Sequence, residues 1–558
     1  MNRIALVPAR VWWGIVPLLL IGPFLLWPLG AMLWRAFVID SGTGASPTLE
    51  VVRAVATDGY TWKRLAFTTG QALASTALTL AIGIPAAYVF ANVRFPGRTV
   101  LRAVATLPFV LPTIVVALAF QRLVGSGGWL NDALGLIGLG PIQATGTLGM
   151  ILAAHVFYNV SIVLRIVSGV WANLDPRAEE AARLLGATRF GAFRRVTFPA
   201  LLPAIASSAA LVFTFTFTSF GVVLILGGPG LDTLEVTIYR LATRLLQLPE
   251  AAVLSFVQMG ATLGALVLYA ALQRRMTVPL RPRSDRARPW RETSRGERIL
   301  VAGVLAALAL LIGAPILALV HGALTVGGGF GLDNFGRLFE DTGRVSYIEP
   351  LSAIRWSLTF AIGATLLASV VGLAAAAAIA RTTGRWASVL DGLLMLPLAV
   401  PAVVLGFGYL VTFNRGWYDL RGSPWLLLAA HALIAYPFVL RSVLAVFRSR
   451  DPRLPEAAAL LGASPVRVWR FVEVPIAARA LLVGAVFSFA VSLGEFGATL
   501  LLQRPQYATM PVAIFQALGR PGQANLGQAL AMAVILLLVT AAGFLLIERF
   551  RYQELGEF

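Results

Sequence analysis

The sequence predicts an all-α membrane protein with about twelve transmembrane helices, arranged as two tandem sets of six. Of its 558 residues, 58% are hydrophobic and only 13% are charged, whereas soluble proteins carry about 25% charged residues. The apolar residues are collected in runs of about 20 residues or more, the length that crosses a bilayer. A charged segment between two of these runs also occurs twice in the chain. Together these observations predict a duplicated membrane protein.

The apolar runs and the segment between their two sets define a domain organisation. We expect domains at 1–273 and 299–558, joined by an arginine- and proline-rich linker at 274–298. Because loops rich in arginine lie on the cytoplasmic side, we expect the linker, both termini and both repeated segments to be cytoplasmic. The first run is interpreted as a membrane anchor and not as a cleaved signal peptide. The runs cover residues 12–35, 66–91, 101–124, 146–170, 200–226, 251–273, 299–323, 354–380, 387–413, 424–447, 479–502 and 526–547.

Composition excludes several classes of site. The net charge of +19 would suggest nucleic-acid binding in a soluble protein. Here the arginines lie between apolar runs, as in the loops of membrane proteins, and we expect no nucleic acid. The absence of cysteine excludes disulfides and thiolate metal sites. No glycine-rich loop precedes the single lysine, Lys63, so this chain has no phosphate-binding loop of the Walker A type.

The repeated charged segments, at 174–202 and 450–478, carry the strongest motif. An offset of 276 separates Glu180 from Glu456, Gly186 from Gly462 and Pro199 from Pro475. Each segment predicts a short helix that begins after an Asp-Pro pair, followed by a glycine that permits a sharp turn. Two equivalent copies on one side of the membrane favour docking on a two-fold partner. The alternative is a solvated connector with no partner.

This motif, Glu-Ala-Ala-x-x-x-Gly followed by a hydrophobic residue and proline, resembles the signature loop of binding-protein-dependent ABC importer permeases. The resemblance covers nearly the whole chain and implies two tandem type I permease domains in a pseudo-twofold arrangement. In that family the loop forms a coupling helix that sits in a cleft of the ATPase subunit. The resemblance therefore implies ATPase coupling by Glu180, Ala181, Ala182, Gly186, Glu456, Ala457, Ala458 and Gly462.

The same resemblance implies the partners. We expect two ATP-binding cassette ATPase subunits that bind ATP and Mg, an extracytoplasmic solute-binding protein, and a bacterial inner membrane. We expect no catalytic residue, metal or cofactor on this chain. Fused pairs of this size are similar to thiamine and ferric-iron permeases, and residues 154–159 resemble the thiamine branch. Residues 492–499 instead resemble sulfate and molybdate permeases. The solute stays open, with thiamine, its phosphates or ferric iron favoured.

Polar residues within the apolar runs are candidates for the translocation pathway. Glu495 lies in the eleventh run, where an ionised side chain is costly and often functional. Its matched residue is Ser219, and Thr218 and Asn159 complete the candidate set. The alternative for Glu495 is a packing role, either protonated or paired with arginine. For His155 and His431, interhelical hydrogen bonding is favoured over ligand binding.

Two other functional classes remain as alternatives. An ion- or proton-coupled secondary transporter can also have six-plus-six parallel repeats, but it is expected to carry acids in several spans and gives the repeated loop no role. A membrane-embedded enzyme would need clustered acids or histidines, and the sequence contains only three histidines.

Overall fold

A computed structural model describes residues 7–40, 45–274, 287–326, 329–339, 348–414, 419–451 and 453–553. Within these residues, eleven helical segments are long and apolar enough to cross a membrane, and one further apolar helix is shorter. We number them as spans one to twelve and count the short helix as span nine. In this order they are Trp13–Phe37, Gly59–Asn92, Thr113–Leu136, Leu148–Ala172, Arg189–Phe217, Leu248–Gln273, Arg295–Ala323, Pro350–Arg381, Ala402–Thr412, Pro424–Ser449, Pro465–Gly494 and Gln523–Leu546.

Shorter elements connect the spans. Three two-stranded pairings are present in the described residues: Val38–Asp40 with Ala45–Pro47, Val93–Arg94 with Arg288–Pro289, and Thr325–Val326 with Gly329–Phe330. The short α-helices outside the spans are Glu50–Thr57, Arg98–Thr106, Pro176–Leu184, Gly221–Leu226, Leu234–Arg240, Asp333–Gly336, Arg385–Leu394, Arg453–Leu460, Gly497–Leu502 and Met510–Leu518.

The third and ninth apolar runs, each expected to form one continuous helix, are broken. In the third run, helix Arg98–Thr106 is followed by a 3₁₀ turn at Leu107–Val110, and an α-helix restarts at Thr113. In the ninth run, a 3₁₀ turn at Leu396–Ala399 has the same place. The matched prolines Pro108/Pro112 and Pro397/Pro401 explain both breaks, since proline lacks the N–H that continues a helix. Composition alone does not distinguish a broken apolar helix from a continuous one.

The fifth and eleventh apolar runs are also interrupted. Helix Phe198–Phe217 ends before a new helix at Gly221–Leu226, and helix Val474–Gly494 ends before one at Gly497–Leu502. The breaks from the two halves lie against each other. The rings of Phe220 and Phe496, matched at the offset of 276, lie 5.7 Å apart between centroids. The two break points therefore contact each other across the interface between the halves.

Matched glycines allow close packing within each half. A Cβ atom added at Gly83 would lie 2.7 Å from Val163 Cβ, and one at Gly372 would lie 2.7 Å from Val439 Cβ. Small residues such as these allow the backbones of two membrane helices to approach each other closely. Spans two and four of the first half thus pack as spans eight and ten do in the second half.

The first span of each half packs against the other half. Trp13 of span one contacts Trp469, with ring centroids 4.1 Å apart. Trp129 of the first half donates a hydrogen bond to His321 of span seven, at 3.2 Å between Nε1 and Nδ1. The two sets of six are therefore interlocked, and the buried apolar core is continuous between them.

The last part of the predicted linker, 274–298, is ordered. Residues 275–286 of the linker lie outside the described residues. From Arg288 onwards the segment is ordered, because its strand pairs in parallel with Val93–Arg94. Ser294 and Glu297 then form a capping box that begins span seven at Arg295, four residues before the predicted start. Since reciprocal caps satisfy the free N–H groups of a helix start, local sequence is enough to order this end.

Candidate functional site

The two repeated loops have the same local structure. Asp175 accepts a hydrogen bond from the Arg177 amide at 3.0 Å, and Asp451 accepts one from the Arg453 amide at 2.9 Å. These side chains therefore fix the start of the short helices Pro176–Leu184 and Arg453–Leu460. Gly186 and Gly462 follow with φ of 92° and 85°. This left-handed conformation favours glycine, and it confirms the turn that the sequence predicted.

The predicted coupling residues lie on the surface of these loops. Glu180, Ala181 and Gly186 are exposed, as are their matched residues Glu456, Ala457 and Gly462, while Ala182 and Ala458 are half-buried. Sequence reasoning missed a second shared feature. Leu184, Leu185, Leu460 and Leu461 are each 89% exposed. Both loops thus present two leucines beside the Glu-Ala-Ala motif, with the character of a contact surface.

The loops are attached to the membrane helices differently. In the first half, the Thr197 hydroxyl donates to Glu179 Oε2 at 2.9 Å. At the position matched to Thr197, Glu473 forms a salt bridge with Arg450 at 2.8 Å and another with Arg381. Arg381 also lies over the rings of Trp13 and Trp469. A hydrogen bond from a hydroxyl to a carboxylate in one half thus corresponds to a buried ionic and aromatic cluster in the other.

A cavity of about 420 Å³ lies between the two halves where the broken spans meet. Its size falls within the range of about 300–1,000 Å³ that is typical of small-molecule sites. All four predicted pathway residues, Asn159, Thr218, Ser219 and Glu495, line this one cavity. The structure thus brings together residues from spans four, five and eleven.

The two histidines connect the cavity to the packed helices. In the first half, His155 Nε2 lies 2.8 Å from Ser219 Oγ and its Nδ1 lies 2.9 Å from Ser75 Oγ. In the second half, His431 Nδ1 lies 2.8 Å from Ser492 Oγ and its Nε2 lies 2.9 Å from Thr499 Oγ1. Both side chains are buried and join neighbouring helices. This is the hydrogen-bonding arrangement favoured by the sequence.

Glu495 lies at the break after span eleven and not within a continuous helix. Its Oε1 accepts from the Ala498 amide at 2.8 Å and its Oε2 from the Thr499 amide at 2.9 Å. The Thr499 hydroxyl also donates to Oε2, and His431 Nε2 lies 3.5 Å away. The carboxylate therefore caps the helix Gly497–Leu502. In the part of the chain that the structure describes, Glu495 does not form the salt bridge with arginine that was considered as an alternative.

Two cavity residues were not among the predicted pathway residues. Glu235 is only 2% exposed, and its Oε1 has no hydrogen-bond partner among the described residues. The Tyr158 hydroxyl is also buried without a partner in the part of the chain that the structure describes. Both residues line the cavity. Glu235 was missed because it lies in the connection after run five, while acids were sought only inside the runs.

Comparison with known proteins identifies the family. Residues 80–278 and 368–551 both match the family described as binding-protein-dependent transport system inner membrane component. The chain belongs to this family. It is a multi-pass permease of an ABC importer, and the fold with two tandem domains is as the resemblance implied.

Thiamine permeases are among the relatives of this permease. The thiamine transport system permease protein ThiP of Brucella abortus is 28% identical over 495 residues, covering 88% of this chain and 87% of the relative. The ThiP protein of Escherichia coli is 28% identical over 504 residues, covering 89% and 90%. The sulfate transport system permease protein CysT of Salmonella typhimurium is 36% identical over 195 residues, covering 35% of this chain and 69% of the relative.

A solved structure also matches part of the chain. It is a bacterial ABC transporter involved in the import of the acidic polysaccharide alginate, and it is 18% identical with a TM-score of 0.40. The match covers 49% of this chain and 94% of that chain.

Proposed function

We propose that this permease imports thiamine, which an extracytoplasmic solute-binding protein delivers and two ATPase subunits drive across the membrane. The support is the likeness to thiamine permeases over 88% of the chain. The sulfate relative matches only 35% of it. In this proposal ATP and Mg bind the ATPase subunits, and the permease itself makes and breaks no covalent bond.

The repeated loops are the proposed docking sites for the ATPase subunits. Each loop offers the exposed Glu-Ala-Ala motif and two leucines that are 89% exposed. When a partner covers these leucines, their apolar surface is removed from water. This burial stabilises the complex by about 25 cal/mol per Å² of apolar surface. Two such loops with the same fold suit two copies of one partner. We place both loops, both termini and the linker between domains 1–273 and 299–558 on the cytoplasmic side.

The pathway in this proposal runs through the cavity between the halves. ATP-driven closure of the ATPase subunits moves the two loops together and tilts the halves about their contact at Phe220 and Phe496. The permease needs only two conformations with different contacts to its partners for this coupling. Asn159, Thr218, Ser219 and Glu495 are the proposed pathway residues.

The experiment is ATPase stimulation of the purified complex with its solute-binding protein in liposomes. The solutes are thiamine, thiamine diphosphate, ferric iron, sulfate and molybdate, each presented with the same binding protein. We expect stimulation by thiamine. Stimulation by sulfate or iron alone would contradict thiamine as the solute but would still support an ATP-driven importer. Failure of any ATPase subunit to co-purify would favour the secondary transporter.

A further inference from the structure

Two acidic side chains line the cavity without a matching arginine or lysine. Glu235 and Glu495 both line it, and they are 2% and 6% exposed. None of the described residues that line it is arginine or lysine. A buried carboxylate is costly unless it is paired or hydrogen-bonded. Glu495 meets this condition through its helix cap, but Glu235 Oε1 has no partner among the described residues. The missing partner is a donor or a positive charge.

Aromatic rings form much of the remaining wall. Phe109 and Phe215 meet edge to face at 5.8 Å between centroids, and Phe438 and Phe487 stack at 6.5 Å. All four line the cavity, together with Phe220, Phe496 and Tyr158. Aromatic faces attract organic cations, and more strongly when water is excluded. An inorganic ion needs neither this apolar surface nor a volume of about 420 Å³.

Two other ligand classes fit the wall poorly. A divalent oxyanion would meet two acidic side chains and, among the described lining residues, no arginine or lysine. A bound metal ion would need several ligands close together. Within the described residues, no group of three or more histidine, cysteine, aspartate or glutamate side chains is close enough to hold one.

We propose that the cavity is a contact site for an organic cation, with Glu235 and Glu495 as its charged contacts and the phenylalanine rings as its walls. This inference rests on the proposed function and narrows it. Thiamine carries a permanent positive charge on its thiazolium ring, whereas its diphosphate ester adds negative charge at the other end. Glu235 supplies the open acceptor, and Glu495 supplies charge from the opposite half.

The test is ATP-driven uptake of radiolabelled thiamine by proteoliposomes that contain the complete complex and its binding protein. We compare the wild type with Glu235→Gln and Glu495→Gln, which keep the shape of each side chain and remove its charge. We expect each variant to lower the uptake rate at least about tenfold at low thiamine, because a hydrogen bond to a charged group can contribute a factor of ten or more. The loss should lie mainly in the apparent KM for Glu235→Gln, whose carboxylate caps no helix.

Controls separate this inference from the proposed function. Glu250→Gln changes a half-buried carboxylate outside the cavity and should transport like the wild type. Assembly is checked by size-exclusion chromatography. Docking of the binding protein is checked by the increase in ATPase activity above the basal rate. Wild-type liposomes without thiamine uptake would overturn the proposed function. Thiamine uptake that is unchanged in both Glu235→Gln and Glu495→Gln would overturn the cation site and leave the importer standing.

Discussion

At the repeated loops the motif residues of the two halves are the same, whereas at the cavity several matched residues differ. Glu-Ala-Ala, two exposed leucines and a left-handed glycine occur in both loops. At the cavity wall, Tyr158, Asn159 and Thr214 of the first half are matched by isoleucine and two alanines in the second half, at 434, 435 and 490. The exception is Ser219, which is matched by the more polar Glu495.

This difference follows from what each region contacts in our proposal. Two copies of one ATPase subunit present identical surfaces, so the two loops are held to the same shape. A small solute has no two-fold symmetry, and nothing requires the two walls of its cavity to be equal. A duplicated chain can therefore place an aromatic hydroxyl and amide on one side and a helix-capping carboxylate on the other.

The largest expected effect comes from charging the exposed leucines. Leu184→Asp and Leu460→Asp should each reduce ATPase association and uptake by at least about tenfold, because an unpaired charge in an apolar interface is strongly disfavoured. The account expects similar losses for the two variants. Pull-down of the ATPase subunit with the detergent-solubilised permease measures this. Leu49→Asp is the control, since Leu49 is 66% exposed and lies outside both loops. Loss in only one half would contradict the equivalence of the loops.

A smaller effect is expected at the matched histidines. His155→Ala and His431→Ala each remove the partner of two buried hydroxyls. An unsatisfied buried polar group costs about 1–3 kcal/mol, so both variants should unfold at lower temperature. His155→Ala should lower it further, because Ser492 and Thr499 keep a second partner in the Phe360 carbonyl and Glu495. Thermal unfolding of the purified permease measures the shift, with Leu49→Ala, at a side chain that is 66% exposed, as the control. A larger shift for His431→Ala would mean that its contact with Glu495 outweighs the unsatisfied hydroxyls.

The smallest effect is expected at Thr214, although it lines the cavity. Its hydroxyl donates to the Ala210 carbonyl of its own helix at 2.8 Å. Thr214→Val keeps the shape and leaves the helix intact, so thiamine uptake should change by less than about twofold. The reverse exchange, Ala490→Thr in the second half, should be equally mild. A large loss in Thr214→Val would show that the polarity of the whole first-half wall matters, beyond Glu235 and Tyr158.

The sequence allowed the loops and much of the fold to be predicted, for physical reasons. A motif repeated at a constant offset of 276 residues identified the loops, and the length of the apolar runs identified the spans. The breaks near Pro112 and Glu495 were not predicted, because an apolar run has the same composition whether its helix is continuous or interrupted. Glu235 was missed since only the folded chain brings the connection after span five back to the break at Ser219. There the Thr233 hydroxyl donates to the Ser219 carbonyl at 3.3 Å.

The most direct test of the account is thiamine accumulation in sealed proteoliposomes, with the energy source controlled. The complete complex and its binding protein are supplied with ATP on the ATPase side, and the ion and proton gradients are collapsed. The account predicts accumulation that requires both ATP and the binding protein and that stops with a non-hydrolysable ATP analogue. Accumulation driven by an imposed ion or proton gradient without ATP would contradict it and identify a secondary transporter.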